Sequence, residues 1–110
     1  MIELLYWDGC PSHPTALAQL RDALAELGRE DVEIVLRHVG DDAQARALGF
    51  VGSPTIRVDG ADVVPPPADE PPALSCRVYR RRDGRFSPTP DPADLRDALR
   101  AALAEPATRA

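Results

Sequence analysis

A cysteine at a strand-to-helix junction is the feature that most constrains this chain. The apolar run Ile2–Tyr6 predicts a buried strand, and the residues after Cys10 carry the leucine spacing of an amphipathic helix. The segment between them is Trp-Asp-Gly-Cys-Pro-Ser-His, residues 7–13. Free N–H groups and the positive end of a helix stabilise a thiolate and lower the pKa of a thiol. The sequence therefore predicts a reactive cysteine at its first turn.

The rest of the chain alternates strands and helices in the order βαβαββα. This order predicts an α/β fold in which a mixed sheet is flanked by helices. Asp59-Gly60 is typical of a hairpin turn, and the proline- and acid-rich stretch 65–74 predicts an extended loop. The predicted strands are 2–6, 32–39, 55–58 and 61–64, with another at 76–80, and the predicted helices follow Pro11 or Pro14, span 43–48 and begin after Asp91.

Length and charge restrict the classes of function. A chain of 110 residues is expected to form one domain, 1–110, with a frayed end over residues 105–110. A formal net charge of −5 argues against nucleic acid as a partner. The sequence shows neither a membrane-spanning apolar segment nor a signal-like N-terminus, which predicts a cytoplasmic protein with no membrane partner. In a reducing compartment, two cysteines are more plausibly kept for reactivity than as a structural staple.

Two motifs in this order resemble the thioredoxin-like superfamily. The first is Trp7-Asp8-Gly9-Cys10-Pro11-Ser12-His13, and the second is Gly52-Ser53-Pro54-Thr55-Ile56. The resemblance is greatest to small thioredoxin-like proteins with a Gly-Cys-Pro turn. It implies that Cys10 is the nucleophile and that Pro54 is a cis-proline facing it. It also implies that a thiol substrate binds along Trp7, Pro11, Ser53, Pro54 and Thr55, with the backbone of Ser53 open to pair with it.

The chain departs from the family at the position of the second cysteine. Many members carry a C-x-x-C pair, but here the last position is His13. In one interpretation, Cys10 works as a single thiol and His13 tunes it. In a second, Cys76 resolves the mixed disulfide. In a third, Cys10, His13 and Cys76 bind a soft metal ion such as zinc, copper(I) or mercury(II).

Topology decides whether Cys76 can reach Cys10. If strand 55–58 runs antiparallel to the first strand, a return strand after Asp59-Gly60 leads back toward Cys10, and the loop 65–74 brings Cys76 there. If Cys76 instead opens the strand that pairs directly with 55–58, it lies at the far end of the sheet. A disulfide requires Cα atoms within about 7 Å.

The sequence thus predicts a thiol–disulfide oxidoreductase. The Cys10 thiolate would attack a disulfide, and Cys76 or an external thiol would release the product. The expected substrate is a thiol or disulfide of a protein or of a glutathione-like molecule, with no cofactor and no resident metal. The alternative is a non-catalytic module that binds a protein partner or a soft metal. An arginine run suits a solvated turn or an anionic partner; its members are Arg77, Arg80, Arg81, Arg82 and Arg85.

Overall fold

The backbone forms a four-stranded mixed sheet with helices packed on it. The computed structural model describes the backbone of residues 1–108 and the side chains of residues 1–103. The strands of the sheet are β1 (Ile2–Tyr6), β2 (Ile34–His38), β3 (Thr55–Val58) and β4 (Ala61–Asp62). A separate two-stranded hairpin is formed by β5 (Tyr79–Arg80) and β6 (Phe86–Ser87), and the helices are α1 (His13–Glu26), α2 (Asp42–Leu48) and α3 (Pro92–Thr108).

The strand directions bring two distant turns to one edge of the sheet. The strand order is β2-β1-β3-β4, with β2 parallel to β1 and β3 antiparallel to it. Leu5, near the end of β1, pairs with Thr55 at the start of β3. Because β1 ends where β3 begins, the turn that holds Cys10 lies beside the turn that holds Ser53 and Pro54.

The larger core lies between the sheet and the pair α1 and α3. Alternate residues of a strand face the same side of a sheet, and the leucines of each helix form one apolar stripe. Leu20 of α1 and Leu99 of α3 are both fully buried against this face. The buried members of this core are Ile2, Leu4, Ala16, Leu20, Ala23, Leu24, Ile56, Val58, Leu95 and Leu99.

A smaller core lies under α2. Leu5 has the opposite parity to Leu4 in β1, and it packs with Val39, Ala45 and Phe50. The Asp41 side chain accepts a hydrogen bond from the Gln44 backbone N–H, which caps the start of α2. This core supports the turn after α2, from which the chain enters the Ser53 segment.

The elements differ from the sequence prediction at several positions, and the observed order is βαβαββββα rather than βαβαββα, because the hairpin β5–β6 precedes α3. Helix α1 begins at His13, whereas the sequence predicts a start at Pro11 or at Pro14. Strand β2 is shorter than 32–39, since residues 32 and 33 precede the ladder with β1. Of the strand expected at 76–80, Tyr79–Arg80 pairs with β6, and the residues before it pair elsewhere.

The end of the chain was expected to fray over residues 105–110. Helix α3 extends to Thr108, so the backbone of residues 105–108 is helical, and residues 109 and 110 lie outside the described residues. Among the helices of the described residues, none combines the length and the apolar character needed to cross a membrane.

Replacing Leu99 by alanine is expected to lower the free energy of unfolding by about 2–5 kcal/mol, since it opens a cavity between α3 and the sheet. Leu99 is fully buried, whereas Leu36 on β2 is 49% exposed. The matched variant Leu36→Ala should cost less than about 1 kcal/mol. Urea unfolding of both variants measures the difference, and equal losses would show that the core is misplaced.

Candidate functional site

The two cysteines of the chain meet at the end of β1. Cys10 and Cys76 form a disulfide, with Cα atoms 5.5 Å apart and a sequence separation of 66. This Cα distance is inside the usual range for disulfides. Strand β4 returns antiparallel to β3, and the loop 65–74 then brings Cys76 to Cys10. The sequence allowed two topologies, and the structure has the one in which Cys76 reaches Cys10.

The backbone around Cys76 is paired with Ser53. The Ser53 N–H donates to the Ser75 carbonyl at 2.7 Å, and the Arg77 N–H donates to the Ser53 carbonyl at 2.9 Å. Together these bonds make a parallel bridge between Ser53 and Cys76. The Ser53 backbone was expected to be open for a substrate, but both of its groups are occupied by the chain itself. The Ser53–Pro54 peptide bond is cis.

Gly52 allows this close approach of the two segments. A Cβ atom at position 52 would lie 2.8 Å from the Arg77 backbone nitrogen and 3.0 Å from the Arg77 Cα. Its φ of +154° is also one that residues with a side chain rarely adopt. A side chain at this position would therefore push the Cys76 segment away from the sheet.

Arg77 and Tyr79 fasten the same segment to the start of β3. The Tyr79 hydroxyl donates to the Pro54 carbonyl at 2.6 Å, and Arg77 donates to the Val64 carbonyl at 2.8 Å and to the Thr55 hydroxyl at 3.4 Å. The Arg77 guanidinium also lies 4.3 Å from the centre of the Tyr79 ring. Arg77 is 6% exposed, so its prediction as part of a solvated basic run is wrong. We name residues 75–79 the docked segment.

The surroundings of the Cys10 sulfur suit a thiolate. Ser12 is the N-cap residue of α1, yet its side chain makes no capping bond to the helix. Its hydroxyl oxygen lies instead 3.8 Å from Cys10 Sγ, from where it can donate to the sulfur. The Ser53 carbonyl oxygen, 3.5 Å from the same sulfur, is a hydrogen-bond acceptor and does not add to this stabilisation. Cys10 also precedes the positive end of α1, which favours negative charge on the sulfur.

His13 stacks on an aromatic ring and makes no hydrogen bond to the Cys10 sulfur. Its ring stacks on Tyr6 with the ring centres 4.2 Å apart. Within the described residues, the hydrogen-bonding neighbours of Cys10 Sγ are Ser12 and Ser53, and His13 is not among them. His13 therefore has no hydrogen bond through which it could influence the Cys10 thiol directly. The sequence also offered His13 as a metal ligand together with the two cysteines. Residues 1–103 contain no group of three or more His, Cys, Asp or Glu side chains placed to hold a metal.

The expected substrate surface is largely covered. Ser53 and Thr55 are fully buried, and Pro54 is among the most buried side chains. Trp7 is partly buried against the core under α2, where it supports the turn. Pro11 is exposed and lines a cleft beside the disulfide, together with Val78 and Phe86. Among the expected contacts, Pro11 is thus the one that faces an open surface.

Arg77 and Tyr79 belong to the site but were not predicted from the sequence as site residues. In the structure, positions 77 and 79 are buried, while positions 76, 78 and 80 are exposed. The sequence pattern does not predict this orientation, because apolar Val78 lies at an exposed position and charged Arg77 at a buried one. The buried position of Arg77 was also hard to predict, because a cluster of arginines normally indicates a solvated surface.

Comparison of the chain with family models, with curated proteins and with solved structures found no match.

Replacing Gly52 by alanine should weaken the docked segment and make the disulfide easier to reduce. The added Cβ would collide with the Arg77 backbone, so the two cysteines would be held together less well. We expect the equilibrium constant for disulfide formation in a glutathione buffer to fall about tenfold or more, equivalent to about 1.4 kcal/mol.

Gly40→Ala is the matched control, since a Cβ there would lie 3.4 Å from the nearest side-chain atom, at a non-positive φ. Quantifying oxidised and reduced protein after acid quenching gives both constants. Equal constants for the two variants would contradict the close packing described for Gly52.

The Tyr79 hydroxyl should make stability depend on alkaline pH. Burial raises the pKa of Tyr79 from 10.0 to about 12, with the nearby Arg77 acting in the opposite direction. The folded state holds this proton more tightly than the unfolded state, so its contribution is complete below pH 10 and is lost as the pH rises toward 12. The loss amounts to about 2–3 kcal/mol.

Tyr79→Phe lacks this ionisation and leaves the Pro54 carbonyl without its donor, at a cost of about 1–3 kcal/mol at neutral pH. The stability gap between wild type and variant should therefore narrow between pH 9 and pH 11.5. Urea unfolding of the oxidised proteins measures this gap. A constant gap across that range would mean that the Tyr79 pKa is not raised.

Proposed function

We propose that this protein is a thiol–disulfide oxidoreductase of thioredoxin-like fold, with Cys10 and Cys76 as its redox pair. The observation that carries the proposal is the meeting of these two residues, 66 positions apart, with Cα atoms 5.5 Å apart at the start of α1. A pair that is joined by the fold, beside a helix N-terminus, suits reversible two-electron chemistry.

The architecture supports the thioredoxin-like part of the proposal. Cys10 lies between β1 and α1, and the Ser53-Pro54-Thr55 turn faces it from the start of β3. The mixed sheet, with a parallel β1–β2 pair and an antiparallel β3–β4 hairpin, is the arrangement that the order of elements in the sequence predicts. The missing C-x-x-C cysteine is replaced in this proposal by Cys76, which arrives from outside the turn.

The proposed reaction is thiol–disulfide exchange. A thiolate attacks one sulfur of the pair, forms a mixed disulfide with it and releases the other as a thiolate. A second thiol then breaks the mixed disulfide, so that the pair gains two electrons and the two thiols become a disulfide. In the opposite direction, the dithiol protein reduces a disulfide by the same steps. These steps need no contribution from His13, which makes no hydrogen bond to the Cys10 sulfur.

Turnover with a disulfide substrate tests this function. Wild-type protein should accelerate the reduction of insulin disulfides by dithiothreitol, measured as turbidity of the released chains. Cys10→Ser and Cys76→Ser should each lower this acceleration at least tenfold. Ala61→Ser, an exposed serine substitution on β4, should leave it unchanged.

Two outcomes would contradict the proposal. One is a wild-type rate no higher than that of dithiothreitol alone. The other is full activity in both cysteine variants, which would show that the pair is not the redox centre. Far-UV circular dichroism of each variant checks that the fold is retained.

A further inference from the structure

The two cysteines of the disulfide differ sharply in their exposure to solvent. Cys10 is 1% exposed, and it lies beneath the docked segment and beside the Ser53 carbonyl. Cys76 is an exposed residue, on the outward side of the alternation that buries Arg77 and Tyr79. An external thiol or disulfide that approaches this protein therefore meets Cys76 first.

The clefts around the disulfide show the same asymmetry. One cleft is lined by both cysteines, with Pro11, Val78 and Phe86. A second cleft is lined by Cys76 without Cys10, and its other walls include Val51, Pro66 and Glu70. A thiolate attacks a disulfide along the axis of the S–S bond, from the side opposite the leaving sulfur. The second cleft gives a route to Cys76 from a side that Cys10 does not line.

We infer that Cys76 is the cysteine that exchanges with the substrate and that Cys10 is the resolving cysteine. This reverses the roles that the resemblance implied, and it rests on the proposed redox function. In the reducing direction, the Cys76 thiolate attacks a substrate disulfide, bonds to one sulfur and releases the other as a thiolate. The Cys10 thiolate then attacks Cys76 Sγ, restores the disulfide and releases the second substrate thiolate. Two electrons pass from the protein to the substrate.

The chemistry at each sulfur fits these roles. In the oxidised protein, an attack on Cys76 expels Cys10 as the leaving group, and a better-stabilised thiolate leaves faster. The Ser12 hydroxyl, 3.8 Å from Cys10 Sγ, and the start of α1 both stabilise that thiolate. An attack on Cys10 would instead require a nucleophile to reach a residue that is 1% exposed at the wall of the shared cleft.

The docked segment keeps this asymmetry after reduction. Its hydrogen bonds to Ser53, Pro54 and Thr55 are independent of the disulfide, as is the packing of Gly52 against Arg77. Cys76 therefore stays on the outside and Cys10 stays covered when the bond between them is broken. Each turnover leaves the resolving thiol in place for the next attack.

Trapping of mixed disulfides tests the assignment. Reduced Cys10→Ser and reduced Cys76→Ser are each incubated with glutathione disulfide and analysed by intact-mass spectrometry. Cys10→Ser should accumulate a stable glutathione adduct on Cys76. Cys76→Ser should form its adduct on Cys10 at least tenfold more slowly. Faster trapping on Cys10 would overturn the assignment while leaving the proposed redox function in place.

Alkylation of the wild-type protein gives a second readout that needs no variant to fold. Brief treatment of the reduced protein with iodoacetamide, followed by peptide mapping, should modify Cys76 at least tenfold faster than Cys10. In guanidinium chloride the two rates should become similar, which shows that the fold sets the difference. Preferential modification of Cys10 in the folded protein would contradict the inference.

Failure of the proposed function gives a different result. If wild-type protein neither forms a glutathione adduct nor reduces insulin disulfides, the redox proposal is wrong and the assignment of roles falls with it. If turnover is present but adducts and alkylation occur first at Cys10, the redox proposal stands and the assignment of roles is wrong.

Discussion

The pairing of the docked segment with Ser53 is the interaction on which the site depends. It occupies both backbone groups of Ser53 and places Cys76 beside Cys10. It is possible because Gly52 leaves room for the Arg77 backbone. If the backbone N–H and carbonyl of buried Ser53 were left unpaired, the folded state would lose free energy, since buried backbone groups need hydrogen-bond partners. The chain supplies those partners from a segment that also carries the second sulfur.

The buried arginine gives this arrangement an unusual electrostatic character. Within the described residues, no carboxylate forms an ion pair with Arg77; its partners are the Thr55 hydroxyl, the Val64 carbonyl and the Tyr79 ring. Because these partners are neutral, the buried charge is satisfied by hydrogen bonds and a cation–π contact rather than by an ion pair. Arg77, the residue next to Cys76, thus fastens the docked segment to Thr55 and Val64.

Much of the fold follows from local patterns, but the site depends on long-range packing. The leucine stripes of α1 and α3 and the apolar run of β1 identified the larger core, because periodicity reports directly which face is buried. The position of Cys76 followed only as one of two topologies, since strand pairing is not encoded in either strand alone. The occupied Ser53 backbone and the buried Arg77 were not predicted, as both arise from two segments that meet after a proline-rich loop.

The wide separation of the cysteines links their redox state to the stability of the whole domain. A C-x-x-C pair closes a single turn, so its oxidation constrains little of the unfolded chain. The Cys10–Cys76 bond spans 66 positions, and a loop of this length restricts the unfolded ensemble by about 4 kcal/mol in the chain-entropy model. By the thermodynamic cycle, the free energy by which the disulfide stabilises the folded state equals the free energy by which folding favours formation of the disulfide. Packing that holds the docked segment, including the contact at Gly52, therefore also sets how strongly the protein retains its oxidised form.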